Sequence, residues 1–293
     1  MKFHCSRRSD AAAFADMISR IACASLLLLW LVSAAAAEEP SAGCKRKSIA
    51  TGDRLERTLG VGGVERSYIL DVPAHLTPER PVPLLLDFHG FGHSAAGVWR
   101  VSGFRELGMR EGFVTAYPQG LPVHLLGRED AGWEMTIDGN RDVAFAAALI
   151  DKLEEEYCID PQRIFVTGFS NGAFLSHVLG CRMADRIAAI APVSGGSLDL
   201  PCNPPRAVSV IIFHGRNDAI VEVSSGRKLF EEWKKLDRCR GETREEGAVC
   251  TRANQCRDRT SVVYCEGDGE HRWPPEATER IWQFFKTHPL LSP

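Results

Sequence analysis

Neither basic nor acidic residues dominate this chain of 293 residues. It carries 35 lysine and arginine residues against 38 aspartate and glutamate residues, which gives a formal charge of −3. Without a basic excess, nothing in the composition favours binding to nucleic acid. The sequence also lacks repeats and low-complexity segments after residue 44. Since 44% of the residues are hydrophobic and 25% are charged, the composition excludes a disordered, collagen-like or coiled-coil chain.

Long apolar runs are absent apart from residues 21–33, which follow Arg20 and precede four alanines. A basic residue, an apolar core of roughly 7–15 residues and an Ala-x-Ala site are typical of a secretory signal peptide. The run is short for a membrane span, which needs about 20 apolar residues. We therefore predict that residues 1–37 are a signal peptide cleaved before Glu38, with an uncleaved membrane anchor as the alternative. The mature protein is then secreted, extracellular or periplasmic, without stable membrane insertion.

The cysteines, 10 in all, lack the Cys-x-x-Cys spacing that many zinc sites use. Removal of residues 1–37 leaves eight cysteines, an even number, in a protein whose export would place them where disulfides persist. We therefore expect up to four disulfides and no metal ion. Many pairings are compatible with the sequence. Our expectation is a Cys181–Cys202 disulfide, with the last four cysteines paired among themselves: Cys239, Cys250, Cys256 and Cys265.

Strand and helix patterns alternate along residues 38–293. Extended segments at residues 54–59 and 64–72, joined by a glycine-rich turn, predict an antiparallel β-hairpin. Further along, apolar runs typical of strands buried in a parallel sheet alternate with amphipathic helices such as residues 142–157. The predicted fold is therefore a single α/β domain, with a mostly parallel central sheet, helices on both faces and an N-terminal antiparallel hairpin.

Two stretches interrupt this alternation. Residues 119–140 are expected to form a long loop. Residues 237–260 are rich in Arg, Glu and Gly and hold three cysteines, which predicts a disulfide-stapled insertion. Neither stretch requires a second domain.

The segment Gly168-Phe169-Ser170-Asn171-Gly172 has the form Gly-x-Ser-x-Gly and stands directly between a predicted strand and a predicted helix. That context is typical of the nucleophile elbow, in which small residues permit a strained turn that holds a serine hydroxyl clear of the backbone. The Asn171 N–H, at the helix N-terminus, would then face a developing oxyanion. A glycine-rich turn with an unreactive serine is the alternative.

A serine hydroxyl is a weak nucleophile that needs a base, and the base needs an acid to orient it. In folds with this elbow, the acid and then the histidine follow the serine along the chain. His271 lies in a glycine-rich loop before the last predicted helix and is the expected base. Asp218 follows a buried strand and is the expected acid, unless it only caps a helix or turn. Glu222 and Asp199 are less well placed.

A second donor to the oxyanion should come from the loop after residues 83–88. Within that loop we expect the N–H of Phe91 to serve. His89, just before it, either orients the loop or contacts substrate. Trp273 and Trp133 could stack on an aromatic or sugar substrate, or could belong to the core.

In combination, these motifs resemble the secreted α/β-hydrolases that include feruloyl esterases and polyhydroxybutyrate depolymerases. Besides the elbow, the resemblance rests on short motifs at residues 65–68, 88–90, 117–120, 157–161, 213–218 and 271–274. It implies a Ser170–Asp218–His271 triad, an acyl-enzyme intermediate and no cofactor. The sequence departs from the family pattern at Glu270, which precedes the histidine in place of glycine, and at Ala173, where a third glycine is common.

The resemblance implies a serine carboxylic-ester hydrolase whose substrate is a small-molecule or polysaccharide-linked ester. A feruloyl ester of plant cell-wall polysaccharide is the first expectation. A polyhydroxybutyrate depolymerase or oligomer hydrolase and an acetylxylan esterase remain open. A non-catalytic binding protein on a hydrolase scaffold is the alternative from a different class.

Overall fold

The computed structural model describes residues 40–290. The predicted signal peptide, residues 1–37, and its cleavage site before Glu38 lie outside the described residues. No helix within residues 40–290 is long and apolar enough to cross a membrane.

Strands and helices alternate along this part of the chain as the sequence predicts. In chain order they are β1 (Gly52–Val61), β2 (Val64–Val72), β3 (Val82–Phe88), α1 (Ala95–Val101), α2 (Phe104–Glu111), β4 (Val114–Pro118), β5 (Leu121–Leu125), β6 (Arg128–Gly132), α3 (Arg141–Glu156), β7 (Ile159–Phe169), α4 (Asn171–Arg182), β8 (Ala189–Val193), β9 (Ser209–Gly215), α5 (Val223–Leu236), β10 (Arg244–Glu246), β11 (Cys250–Arg252), β12 (Val262–Gly267) and α6 (Ala277–Lys286).

One sheet of 10 strands organises the domain, in the order β1-β2-β4-β3-β7-β8-β9-β12-β11-β10. Its middle strands, β4, β3, β7, β8, β9 and β12, run parallel. Antiparallel strands flank them, β1 and β2 at one edge and β11 and β10 at the other. The predicted α/β fold with an N-terminal hairpin is confirmed.

Apolar cores cover both faces of the sheet. Along β3, Leu84 and Leu86 belong to the core that also contains side chains of α3, α4 and α5. Leu85, between them, belongs to the opposite core with side chains of α2 and α6. Successive side chains of a strand point to opposite faces of the sheet. Since an apolar core covers each face, the strands β3, β4, β8 and β9 are buried along their whole length. Their continuous apolar runs follow from this arrangement.

The stretch expected to be a long loop, residues 119–140, instead contains the antiparallel hairpin β5–β6, which forms a separate two-stranded sheet. Leu121 pairs with Gly132 at its base, and Leu125 pairs with Arg128 near its tip. The sequence of β6 is Arg-Glu-Asp-Ala-Gly, which consists mainly of residue types that are depleted in strands. The amino-acid composition of β6 therefore does not predict a strand.

The insertion at residues 237–260 also contains strands. The disulfide Cys239–Cys256 closes it. Strand β11 pairs with β12, and β10 pairs with β11, so both extend the edge of the main sheet. The segment is therefore part of the sheet rather than a loop apart from it.

The described chain contains four disulfides: Cys44–Cys158, Cys181–Cys202, Cys239–Cys256 and Cys250–Cys265. The expected Cys181–Cys202 bond is confirmed, and the last four cysteines pair among themselves. The Cys44–Cys158 bond joins residues 114 positions apart. It anchors the N-terminal segment of the described chain beside the start of β7.

Asp87 places a carboxyl group in the apolar interior of the domain. It lies on β3, one residue before Phe88, and its side chain is fully buried. Burial raises the pKa of Asp87 to about 7, and neither of its carboxyl oxygens has a hydrogen-bond partner within residues 40–290. The folded protein therefore keeps this carboxyl group protonated over a pH range in which the unfolded chain ionises it.

We expect the substitution Asp87→Asn to become more favourable to stability as the pH rises. An unfolded aspartate ionises near pH 4, so the folded wild type loses stability between that pH and the raised pKa of Asp87, about 7. The difference in free energy of unfolding between variant and wild type should grow by a few kcal/mol, in order of magnitude, from pH 4 to pH 8. Urea denaturation at both pH values measures it.

The exposed residue Asp138 supplies the matched control. Asp138→Asn should give the same difference from wild type at pH 4 and pH 8. A pH-independent difference for Asp87→Asn would contradict the protonated state assigned to the buried carboxyl group.

Candidate active site

Ser170 forms the sharp turn between β7 and α4. Its backbone has φ 54° and ψ −116°, a conformation that residues other than glycine rarely adopt. Such a residue costs roughly 1–3 kcal/mol, so surrounding contacts must hold it in place. The Ser170 N–H donates to Val193 O at the end of β8, at 2.9 Å, and Ser170 O accepts from the Ala173 N–H, also at 2.9 Å. The turn is thus fixed from both sides.

Gly168 and Gly172 flank Ser170 because no side chain fits at either position. A Cβ on Gly168 would overlap the carbonyl oxygen of Gly172 and lie 2.9 Å from that of Phe88. A Cβ on Gly172 would overlap the carbonyl oxygen of Phe88 and lie 2.6 Å from that of His89. The two glycines therefore allow the elbow to approach the backbone at the end of β3.

A continuous line of hydrogen bonds runs from Ser170 through His271 to Asp218. The Ser170 hydroxyl oxygen lies 2.9 Å from His271 Nε2, and His271 Nδ1 lies 2.7 Å from Asp218 Oδ2. The other carboxylate oxygen, Asp218 Oδ1, accepts from the N–H groups of Ile220 and Val221, each at 2.9 Å. The structure thus brings together the three residues that the sequence singles out, and it holds the carboxylate in one orientation.

The loops that carry Asp218 and His271 contact each other directly. They follow β9 and β12, which are neighbouring parallel strands, so both loops leave the sheet at the same edge. A Cβ on Gly215 would lie 2.6 Å from Glu270 O. The absence of a side chain at Gly215 therefore permits the close approach through which the carboxylate reaches the imidazole.

His214 is a buried neighbour of Asp218 that is not among the site residues expected from the sequence. Its Nε2 lies 2.8 Å from Val221 O and 3.5 Å from Asp218 Oδ2. It supports the loop that holds the carboxylate. Its only signal in the sequence is its place in the motif at residues 213–218.

The two weaker candidates for the acid lie elsewhere. Asp199 forms an ion pair with Lys228. Glu222 is exposed and accepts a hydrogen bond from Ser224 at 3.3 Å. Within residues 40–290, neither carboxylate contacts His271.

The two expected oxyanion donors lie beside Ser170. A Cβ on Gly90 would come within 3.3 Å of the Ser170 Cβ, so the Gly90–Phe91 peptide borders the nucleophile. Asn171 is the first residue of α4, where main-chain N–H groups have no partner within the helix. In the described part of the chain, the N–H groups of Phe91 and Asn171 donate to no other residue. Both are therefore available next to the serine hydroxyl.

His89 lies under this loop, with 1% of its surface exposed. Its Nδ1 is 2.7 Å from Gly90 O, and its Nε2 accepts from the Gly120 N–H at 3.0 Å. Burial lowers the pKa of His89 to about 4, so the ring is neutral at pH 7 with its proton on Nδ1. Because its side chain is buried and binds the loop backbone, the geometry of His89 favours the loop-orienting role over a substrate contact.

Trp133 is also 1% exposed, and its Nε1 donates to His89 O at 2.7 Å. This burial favours the core position for Trp133 over a substrate contact. Trp273 is half-buried, donates from Nε1 to Thr278 Oγ1 at 2.9 Å and lines an open cavity of about 360 Å³. Of the three expected substrate contacts, Trp273 is the one that lines this cavity, and Ser170, Asp218 and His271 are not among the lining residues.

The departures from the family pattern leave the hydrogen-bonded line intact. Glu270 is exposed, and its main-chain oxygen accepts from the Arg272 N–H at 2.8 Å. Ala173 is fully buried in α4. Neither position interrupts the contacts of Ser170 or His271.

One group in the described chain has the composition of a metal site: His177, Cys181 and Cys202, whose ligand atoms lie within 4.8 Å of one another. Cys181 and Cys202 are joined as a disulfide, so neither offers the free thiolate that binds metals. Burial lowers the pKa of His177 to about 4, which leaves its ring neutral beside the disulfide. The group is therefore part of the fold.

Comparisons with known proteins agree with this geometry. A family model described as Phospholipase/Carboxylesterase matches residues 140–248, which include the elbow and Asp218. Feruloyl esterase D of Neurospora crassa is 28% identical over 297 residues, covering 92% of this chain and 98% of that protein. Feruloyl esterase C of Emericella nidulans is 26% identical over 252 residues, covering 80% and 89%. The resemblance to the feruloyl esterases is confirmed.

This chain has the α/β-hydrolase fold and is a carboxylic ester hydrolase. Among solved structures, the acetyl xylan esterase from Aspergillus awamori has a similar fold, with a TM-score of 0.62 at 15% sequence identity. The match covers 79% of this chain and 99% of that one. A solved ferulic acid esterase matches with a TM-score of 0.56 at 16% identity, covering 80% and 96%. The hydrolase fold therefore accounts for nearly the whole of each of these structures.

We expect Gly172→Ala to destabilise the hydrolase because the new Cβ would overlap the Phe88 carbonyl oxygen. Such overpacking costs typically about 1–3 kcal/mol and occasionally more. Thermal unfolding measures the loss. The matched control is Gly60→Ala, where no atom lies within 4 Å of the added Cβ. Equal melting temperatures for the two variants would contradict the steric role of Gly172.

We expect Asp218→Asn to fold normally and to lose about 10⁴-fold in kcat, because the amide no longer selects the imidazole tautomer that accepts the serine proton. Asp199→Asn, at a candidate acid outside the hydrogen-bonded line, should retain wild-type kcat. Steady-state hydrolysis of a p-nitrophenyl ester compares the two. A comparable loss in both variants would contradict the assignment of Asp218 as the acid.

Proposed function

We propose that the protein is a secreted serine esterase that cleaves feruloyl, or hydroxycinnamoyl, esters of plant cell-wall polysaccharide. The observation that carries the proposal is the continuous line of hydrogen bonds from Asp218 through His271 to Ser170. In this line each group has a partner suited to its role, a hydroxyl nucleophile, an imidazole base and a buried carboxylate.

The reaction begins when His271 Nε2 accepts the proton of the Ser170 hydroxyl, whose oxygen attacks the ester carbonyl carbon. The carbonyl oxygen becomes an oxyanion that accepts hydrogen bonds from the N–H groups of Phe91 and Asn171. Asp218 stabilises the imidazolium through the bond to Nδ1. His271 then protonates the leaving alcohol as the tetrahedral intermediate collapses to an acyl-enzyme.

Water completes the cycle by the same route. His271 accepts a proton from the water molecule, whose oxygen attacks the acyl carbon on Ser170. The second tetrahedral intermediate collapses, and His271 returns the proton to the serine oxygen. The products are a carboxylic acid and an alcohol, and no step uses a cofactor.

The names of the relatives support an aromatic acyl group, since the two sequence relatives described above are feruloyl esterases. A cavity near the loop that carries His271 supports a sugar unit of the substrate, although none of Ser170, Asp218 and His271 lines this cavity. Trp273, two residues after His271, lines this cavity together with the charged residues Glu106, Arg110 and Glu279. An aromatic surface with polar groups around it suits a sugar ring, which has both apolar and hydroxyl-bearing faces.

Secretion is part of the proposal. Residues 1–37 would be removed as a signal peptide, which leaves residues 38–293 as one catalytic domain with its insertion at residues 237–260. Four disulfides in the described chain support an oxidising destination.

Hydrolysis of four substrates tests the function: methyl ferulate, p-nitrophenyl acetate, p-nitrophenyl butyrate and a 3-hydroxybutyrate oligomer. We expect turnover of methyl ferulate, which Ser170→Ala reduces by more than about 10³-fold because the nucleophile is lost. A fluorophosphonate probe should label the wild type and not the variant.

The remaining outcomes separate the alternatives. Cleavage of the short p-nitrophenyl esters without methyl ferulate would favour an acetyl esterase, such as one acting on acetylxylan. Cleavage of the oligomer alone would favour a polyester hydrolase. No turnover and no labelling would favour a non-catalytic binding protein and would contradict the proposed function.

A further inference from the structure

We propose that Trp133, through its main chain and its indole, and the side chain of His89 position the two main-chain N–H groups, those of Phe91 and Asn171, that bind the oxyanion. This inference rests on the function proposed above. It concerns residues that touch no substrate and act through the backbone of others. Its basis is a buried series of hydrogen bonds that joins one donor to the other.

The series begins at Asn171, which carries one donor on its main chain and has a buried side chain. The Asn171 Oδ1 accepts from the Trp133 N–H at 2.7 Å, and Asn171 Nδ2 donates to Trp133 O at 3.1 Å. The amide of Asn171 is thus bound on both sides to the main chain of a single residue. The first turn of α4, with its free N–H, is therefore fixed relative to Trp133.

The indole of Trp133 carries the series to the end of β3. Its Nε1 donates to His89 O at 2.7 Å. The indole ring also packs against the His89 ring, with centroids 4.9 Å apart, and edge-on against Phe88, with centroids 5.1 Å apart. Since these groups are buried, water does not compete for their hydrogen bonds.

The imidazole of His89 ends the series at the second donor. Its Nδ1 donates to Gly90 O at 2.7 Å, and its Nε2 accepts from the Gly120 N–H, which fixes the tautomer. The Gly90 carbonyl and the Phe91 N–H belong to the same planar trans peptide unit. Holding the oxygen in one direction therefore aims the N–H in the opposite direction.

The hairpin β5–β6 is bound to the same backbone. Ala131 O accepts from the Gly92 N–H at 2.8 Å, just after the Phe91 donor. A Cβ on Gly132 would lie 2.8 Å from Asn171 Oδ1 and 3.0 Å from Phe91 Cδ2. The base of the hairpin thus contacts the residues of both donors, and the space at Gly132 accepts no side chain.

The rate depends on how these two donors converge on one oxygen atom. Each should lie at about 2.7–3.1 Å from the oxyanion, and loss of one donor costs roughly 10²–10³-fold in kcat. A displacement of about 1 Å can cost about 10²-fold. A main-chain donor has no side chain that can adjust it, so its position depends on what holds its peptide unit. The series from Asn171 to Phe91 provides that restraint.

The first test is Trp133→Phe, which keeps an aromatic ring and removes the N–H that binds His89 O. We expect kcat for methyl ferulate to fall by about 10-fold or more, with KM changed less than about 3-fold, because the donors act on the transition state. Affinity for a trifluoromethyl ketone, which forms a tetrahedral adduct on Ser170, should fall in parallel with kcat. Fluorophosphonate titration normalises each rate to the number of active sites.

Trp233→Phe is the matched control. Trp233 is also fully buried, but its Nε1 has no hydrogen-bond partner within residues 40–290. The same change of side chain there should leave kcat and inhibitor affinity at wild-type values. A loss of melting temperature in both variants, with a loss of kcat only in Trp133→Phe, is the result that separates positioning from packing.

A second pair of variants tests His89 independently, whether or not Trp133→Phe folds. Asn places its amide near the position of Nδ1, so His89→Asn keeps a donor to Gly90 O. Gln places its amide near Nε2, so His89→Gln loses that donor. We expect kcat of His89→Asn to exceed that of His89→Gln by about 10-fold, since the former keeps the Phe91 N–H aimed at the oxyanion.

The outcomes distinguish the two proposals. If wild type neither reacts with the fluorophosphonate nor hydrolyses any ester, the proposed function fails and this inference fails with it. If wild type is active but Trp133→Phe keeps its kcat per active site, or the two His89 variants have equal kcat, the esterase stands and the positioning role is overturned.

Discussion

The whole site depends on one steric contact, that of the Ser170 turn with the carbonyl oxygens at the end of β3. Gly168 and Gly172 make this contact possible because any Cβ at either position would overlap a neighbouring carbonyl oxygen. The approach has two consequences. It holds the serine in a strained conformation that exposes its hydroxyl. It also brings the backbone after β3 beside the nucleophile, so the loop that contains Phe91 needs no further element to reach it.

The parallel sheet places the other two members of the hydrogen-bonded line. The strands β7, β8, β9 and β12 are consecutive neighbours, and their carboxyl ends meet at one edge. The serine follows β7, the carboxylate follows β9 and the imidazole follows β12. The end of β8 lies between them, where Val193 O accepts from the Ser170 N–H and the Ser194 N–H donates to Phe213 O at 2.8 Å. Sheet order and loop packing together determine the distances from Ser170 to Asp218.

The sequence predicts those features that local pattern encodes. Apolar runs mark the buried strands, and the elbow motif stands between a strand and a helix, so Ser170, Asp218 and His271 can be chosen by their positions after strands. The hairpin β5–β6 is hidden because one of its strands is composed mainly of polar residues and glycine, and tertiary contacts decide its conformation. For the same reason the sequence leaves both a substrate contact and a structural role open for Trp133 and His89. Trp133 Nε1 donates to His89 O, 44 residues away, and His89 Nε2 accepts from the Gly120 N–H, 31 residues away. No periodicity in the sequence indicates these contacts.

The two imidazoles of the site differ in burial and in role. His89 is buried and keeps one protonation state, whereas His271 is partly exposed and transfers protons in the proposed mechanism. The pKa of His89 is lowered to about 4 because its ring is buried, so above that pH its proton stays on Nδ1 and its bond to Gly90 O persists. His271 differs, since 17% of its side chain is exposed and, in the proposed mechanism, it accepts a proton and returns it. If a supporting imidazole also titrated in the working range, the spacing of the oxyanion donors would vary with pH. Burial removes that coupling and leaves proton transfer to one imidazole, while the surrounding dipoles stay fixed.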